Sequence, residues 1–450
     1  NSDTSSATSH CPRMRDLLII SIVAVAAVLA LRRPWIGVLL WTWLSIMNPH
    51  RFAWGIAYSA PLAAIAAGCT LVGLLFTRER QSPFQGPPVT IFVTLALWIT
   101  VSWLLGVDVD GDYPQWTKVM KIYFMTLVAL CLLRTKQQIV AFAWVTTGSL
   151  ALLGAKGGLF TILTGGSHRV WGPPESFIAD NNEFALSLIM AIPLMYFLLR
   201  QLTKRWQQHI MAATMLLCVA SAVGSQSRGA LVAIVGMGSV FWWRSRNKLA
   251  VAVVICLLLV FALPLMPETW WARMSTIQSY EEDASAIGRL NGWHVAWEVA
   301  KNHFFGGGMS YQHQHFFTLY GLYNTDVIAA HSIYFQILGN HGFVGLAIYL
   351  ALWIATYLTA GTLRKEAARF PQASWAADLG AMAQVCLIGY AVGGAFLSMT
   401  YFDLPYNVMV MVVLAYRWVK RRAWESETEM PLLEALGLRR APPTRIGVSR

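Results

Sequence analysis

Charge is what this sequence has least of. Only 12% of its 450 residues are Asp, Glu, Lys or Arg, against roughly 25% in ordinary globular domains. A soluble fold of this length would need far more charge to cover its surface, which excludes an ordinary soluble enzyme. The 56% apolar content excludes a disordered chain, and composition likewise excludes a collagen-like one. Cysteine is sparse: Cys11, Cys69, Cys131, Cys218, Cys256 and Cys386 are dispersed, so neither a disulfide framework nor a metal cluster is expected. P-loop and Rossmann fingerprints, internal repeats and heptads are also missing. What remains is a polytopic membrane protein, with mean hydropathy +0.51.

The charge balance is 34 basic against 22 acidic residues, or +12. Nucleic-acid binders gather such an excess on an exposed face; here it lies in short clusters between apolar runs, so no nucleic-acid partner is expected. A membrane helix needs about 20 residues, fewer inside a bundle. Thirteen apolar segments are candidates: 17–31, 35–48, 60–77, 89–106, 119–133, 139–154, 184–199, 210–225, 229–243, 249–266, 332–360, 379–398 and 404–417. The first two are short and parted only by Leu31-Arg32-Arg33-Pro34. The expectation is an all-α polytopic integral membrane protein of about 12 transmembrane helices, with one large periplasmic loop domain. Residues 1–13 read as an expression-tag remnant, 14–450 as a single membrane domain and 418–450 as a cytoplasmic tail.

Basic clusters at Arg78–Arg80, Arg134–Lys136, Arg200–Arg205, Arg244–Lys248, Arg364–Arg369 and Lys420–Arg422 fall at every second junction. The positive-inside rule makes these cytoplasmic. The junctions 48–59, 107–118, 155–183, 268–330 and the turn near Asp403 are then external. Most of the +12 is therefore topology. Arg15 and Arg32-Arg33 give opposite orientations for the N-terminus. Pro193 and Pro264 are expected to bend their spans, and the small residues of RGALVAIVGMG from Arg228 permit close helix packing.

Two external segments are large enough to do something. Glycines and prolines in 155–183 are expected to break any long helix; it ends in Asp180-Asn181-Asn182-Glu183, readable as a helix cap or as part of a substrate site. The second, 268–330, has six acidic and three basic residues. Within it, Arg289 to Lys301 sets Leu290, Trp293, Ala296 and Trp297 on one face, an amphipathic helix starting at Arg289. Gly306-Gly307-Gly308 reads as a flexible break. His313 and His315 could share one face of an extended strand, but zinc needs three or four ligands in fixed geometry, and no metal is expected.

Ionisable residues beside apolar spans call for a partner. Arg228 opens a span on the external side, where the charge rule disfavours it: it either snorkels to headgroups or grips phosphate bidentately. Arg289 either pairs with Glu281, Glu282 or Asp283 or meets an anionic ligand. His331 precedes an apolar helix, where it is either a packed interfacial histidine or a general base fixed at a wet cavity. Together two arginines could hold a pyrophosphate while a histidine takes a proton from an incoming hydroxyl.

Ser227-Arg228-Gly229-Ala230 opening a span, a long loop containing Arg289, and His331-Ser332 followed by Gly342 and Gly345 resemble the O-antigen ligase and polymerase (Wzy-C-like) superfamily over about residues 215–355. More narrowly they resemble the bacterial O-antigen ligases (WaaL). The N-terminal LRRPWIGVLLWTWLSIMNPHRFAWG resembles exosortase-associated O-glycosylation ligases. The resemblance implies transfer of a glycan from undecaprenyl pyrophosphate to lipid A-core, at the periplasmic face of the inner membrane, without metal or other cofactor. His331 would be catalytic, and Arg228 and Arg289 would bind the donor pyrophosphate. His313, His315 and Arg169 are further loop candidates, Gly342 and Gly345 helix-packing residues. Asn340 stands where relatives often carry Glu, and Ser332 where they often carry Asn; Asn340 cannot act as a base and is read as structural. An O-antigen polymerase and a protein O-oligosaccharyltransferase share this donor chemistry. A lipid or glycan transporter would instead put charges along a midplane path.

Overall fold

The computed structural model describes residues 7–244, 284–323 and 326–427, with a few positions between 247 and 271. Most of the expected span 249–266, Pro264, the acidic run Glu281–Asp283 and the tail from residue 428 lie outside the described residues. Regular structure among those described is helical throughout. Short single turns aside, the helices among the described residues are α1 (Ala7–Arg32), α2 (Pro34–Met47), α3 (Leu62–Phe76), α4 (Pro87–Leu104), α5 (Val109–Leu132), α6 (Lys136–Leu163), α7 (Asn181–Gln201), α8 (Arg205–Gly224), α9 (Arg228–Arg244), α10 (Ala284–Asn302), α11 (Gln314–Tyr320), α12 (Ile333–Ala367), α13 (Ser374–Gly394) and α14 (Asp403–Lys420). Among the described residues seven helices are long and apolar enough to cross a membrane, and α2, α3 and the start of α9 form shorter apolar helices. The protein is an all-α polytopic membrane protein.

The local sequence starts these helices for identifiable reasons. Pro34 and Pro87 occupy first turns, where their missing N–H is no loss. Thr135 and Gln138 close a reciprocal capping box on α6. Two sets of junctions are tied together at opposite faces of the bundle. On one face Arg33 pairs with Glu79 at 3.5 Å and Arg200 with Asp378 at 2.9 Å, while Arg417 of α14 donates to the carbonyls of Gln85 and Leu130. On the other, Arg51 pairs with Glu175 at 2.7 Å, Ser45 donates to Asp403 at 2.7 Å, and Asp112 accepts from the backbone of Met309 and Ser310. The contact between Arg33 and Glu79 puts the α1–α2 turn on the basic face. The Asp16 carboxylate packs against Gly55 on the opposite face. Thus Arg32-Arg33, rather than Arg15, marks the basic side.

Two expectations change. The segment 155–163 continues α6 rather than breaking it. Gly154, Gly157 and Gly158 abut Cys218, Ser221 and Leu217 of α8, so these glycines permit a close helix pair. Gly306–Gly308 is a bonded brace rather than a slack break: the amides of Gly307 and Gly308 donate to the carbonyls of Gly339 and Asn340, each at 2.9 Å.

Those carbonyls are available because α12 is interrupted at Gly342, whose φ of 69° and ψ of −174° leave the helix. The same break lets the His341 carbonyl accept from Trp98 Nε1 at 2.9 Å. Gly342 is therefore a kink residue as well as a close contact, for a Cβ there would collide with the Phe304 carbonyl. Gly345 packs on His341 and Trp98. Gly342→Ala should cost about 2–4 kcal/mol through strain and collision. Gly238→Ala, with open space around it, should be nearly neutral. Thermal unfolding of the two detergent-solubilised variants checks this; equal melting temperatures would contradict it.

Candidate active site

His331 sits just before α12, with buried Ser332 as the N-cap. Its neighbours are pinned from two sides. Trp293 of α10 donates to the Ala330 carbonyl at 2.6 Å, and its ring stacks on Phe335 at 5.0 Å. The Thr400 hydroxyl lies 2.7 Å from Gln336 Oε1 and 3.3 Å from the Ile333 carbonyl. The turn carrying Thr400 is itself held by the Tyr390 and Tyr406 hydroxyls, which donate to the carbonyls of Met399 and Thr400. Between these anchors His331 adopts φ of 44°, a left-handed conformation costly for a residue with a Cβ.

The His331 side chain is 35% exposed, yet its Nδ1 is buried and lies 3.9 Å from Glu183 Oε1. The exposed part of the ring is thus the part away from Nδ1. Glu183, in the first turn of α7, is only 8% exposed. Asp180 caps α7 by accepting from the Asn182 amide at 2.8 Å. Burial works against ionisation of Asp180, but the hydrogen bonds from the Asn182 amide and side chain, the contact with the Glu183 carboxyl and the nearness of His331 hold its carboxyl below the usual range.

Arg228 lies at the start of α9, half-buried, in a tight hairpin after α8. Ser225 and Ser227 turn the chain through their own hydroxyls, and buried Gln226 takes φ of 57°. Asn181 of α7 donates to the Ser225 carbonyl at 2.6 Å, joining the hairpin to the turn that carries Glu183. Arg169 reaches the same hairpin, donating to Gln226 Oε1 at 3.4 Å. Gly229 abuts Phe396 and Leu397, and the neighbouring Gly394 abuts Ile333. Arg228 and His331 thus flank one turn of chain.

Arg289 is in the second turn of α10, which begins at Ala284 rather than at Arg289. Gly288 packs on Ile328, and Gly292 on Ile328 to Ala330, so α10 runs along the strip leading into His331. The buried seam of α10 is Asn291, Val295, Ala296 and Val299. Of the face expected to be apolar, Leu290 and Trp297 remain exposed. Small residues, not the large aromatics, set the approach of this helix.

The loop histidines go elsewhere. His313 occupies the N-cap position of α11 without a side-chain capping bond and His315 lies within the helix, so they form no strand. With His303 they surround Phe316 at ring distances of 5.1–6.1 Å. Among the described residues no three His, Cys, Asp or Glu side chains converge as metal ligands. Asn340 makes a buried junction: its Oδ1 accepts from the Tyr311 amide at 2.9 Å, and its Nδ2 donates to Met309 O and the Tyr401 hydroxyl. His341 bridges Ser102 and that tyrosine. Both support the loop from below. An apolar groove of about 540 Å³ lined by Trp43, Trp144, Leu152, Met195, Trp206 and Ile210 carries no titratable group and lies away from His331.

The sequence left the run Asp180–Glu183 open between a helix cap and a share in a substrate site, and did not single out Glu183. Its signal was a carboxylate at the head of an otherwise apolar span, masked by its resemblance to a cap. One face therefore gathers a half-open histidine beside a buried carboxylate, and the helix starts and loops that bear Arg169, Arg228 and Arg289. Such a set can take a proton and neutralise an anion.

Comparison with known proteins divides this site in two. Residues 14–203, which include Arg169, Asp180 and Glu183, match a family of unknown function. No curated protein matched the chain. Residues 213–350, from within α8 into α12, match the family described as O-Antigen ligase. Arg228, Arg289 and His331 all fall within the part of the chain that matches the O-antigen ligase family model.

Proposed function

We propose that this protein is an O-antigen ligase that transfers a glycan from undecaprenyl pyrophosphate to a hydroxyl of lipid A-core oligosaccharide, without a metal. It would act at the periplasmic face of the bacterial inner membrane, about 12 helices embedding the chain and the loop 268–330 covering the site. The observation that carries this reading is His331, half-open and rigidly mounted, on the same face as the hairpin of Arg228 and the helix of Arg289. The basic clusters on the opposite face support a periplasmic site through the positive-inside rule.

In this scheme Nε2 of His331 accepts the proton of the acceptor hydroxyl as its oxygen attacks the anomeric carbon of the donor. The bond from that carbon to the pyrophosphate oxygen breaks, and the lipid pyrophosphate departs with the electron pair. Arg228 and Arg289 hold its growing charge, an electrostatic role for preplaced cations. Arg169 adds a third positive charge at the hairpin.

A polymerase or a protein O-oligosaccharyltransferase would use the same donor half, so the acceptor decides. The test is reconstitution with purified lipid-linked glycan and, separately, lipid A-core, a second lipid-linked glycan and a periplasmic protein. The expected product mass is lipid A-core plus the glycan, insensitive to a chelator. A product on either other acceptor alone would overturn the ligase reading.

A further inference from the structure

We propose that Glu183 is the positioning residue of His331, accepting the Nδ1 proton so that Nε2 presents its lone pair to the acceptor hydroxyl. This rests on the reading of His331 as the base. The geometry has a control within the chain. Asp180-Asn181-Asn182-Glu183 has the spacing of a capping box, in which the acid at the third helical position bonds back to the cap amide. At Thr135 and Gln138 both bonds of such a box are present. At Asp180 only the cap side chain bonds, to the Asn182 amide. Glu183 forgoes the return bond and faces His331 instead, 3.9 Å from Nδ1.

The accounting of polar atoms agrees. Glu183 Oε2 and His331 Nδ1 are both buried, and among the described residues neither has a hydrogen-bond partner. Two orphaned atoms, an acceptor and a potential donor on facing side chains, are costly in isolation. A modest rotation of either side chain would join them, and catalytic hydrogen bonds often tighten only when substrate binds. Asp180, beside Glu183, is the titratable neighbour of the pair. During transfer the acceptor proton moves to Nε2, while the Nδ1 proton stays on the ring, shared with Glu183. The carboxylate then stabilises the imidazolium it faces. The dyad also joins the two matched segments, since Glu183 lies in residues 14–203 and His331 in residues 213–350.

The test compares wild type, Glu183→Gln, Glu183→Ala and His331→Ala for transfer in proteoliposomes across a pH series. Glu183→Gln should lower kcat about tenfold or more, and Glu183→Ala about a hundredfold, with the donor KM unchanged. Wild-type kcat in Glu183→Gln would overturn the proposal. If His331→Ala transfers normally, the base reading itself fails; if it is inactive while Glu183→Gln is normal, only the role of Glu183 fails. A readout that needs no Glu183 variant is the nitrogen-15 spectrum of histidine-labelled wild type, with His331 assigned by subtraction of the His331→Ala spectrum. A neutral ring protonated on Nδ1 supports the proposal, and one protonated on Nε2 overturns it.

Discussion

His331→Ala should reduce glycan transfer by about 10³-fold or more, because general-base catalysis by a positioned histidine contributes roughly 10²–10⁴. The fold should survive, since the side chain is 35% exposed and makes none of the bonds that hold Ala330 and Ile333. One complication is built into the backbone. At φ of 44° alanine is no more at ease than histidine, whereas asparagine tolerates this region better. His331→Asn therefore serves as the companion variant, keeping the turn while lacking a group that can take the proton. Both variants should elute and melt like wild type and yield no product above background in a single-turnover assay. Normal product from a well-folded His331→Asn protein would remove the histidine from the chemistry.

Much of this arrangement was legible because membrane sequences expose their constraints. Apolar runs of span length became helices wherever residues are described, and alternating basic clusters separated the faces now joined by Arg200–Asp378 on one side and Arg51–Glu175 on the other. Arg228 and His331 stood out because ionisable groups beside apolar spans need a reason. The parts that escaped depend on three-dimensional approach. The apolar face assigned to α10 weighed side-chain size, yet Gly288 and Gly292 seat that helix on the strip 328–330 and Ala296 meets Gly339 of α12. The glycine run 306–308 looked slack because its acceptors, the carbonyls of Gly339 and Asn340, exist only once Gly342 breaks α12. Glu183 carried the pattern of a helix cap, and no linear pattern shows that a carboxylate has turned to a histidine almost 150 residues later.

Arg228→Ala and Arg289→Ala should each lower kcat/KM for the lipid-linked donor by about 10²-fold, the usual cost of removing one donor that stabilises developing charge. The reasoning is electrostatic. A departing pyrophosphate gains negative charge as the sugar bond breaks, and at an effective dielectric of about 20 a cation 4 Å away contributes roughly 4 kcal/mol. The part of that energy that grows on the way to the transition state appears in kcat, and the rest in KM. The double variant should lose less than the product of the two single effects if both guanidinium groups hold one pyrophosphate, because residues that share a partner are coupled. Lysine substitutions separate charge from shape. Arg228→Lys keeps the charge but not the planar fork that grips two oxygens at once, so it should recover only part of the loss. Arg169, anchored to Gln226, can supply residual attraction, and donor binding in the double variant should therefore weaken more steeply with added salt than in wild type, where close pairs are less screened. Unchanged donor kinetics in both single variants would reject the clamp, and strictly multiplicative losses would assign the two arginines to different groups on the donor.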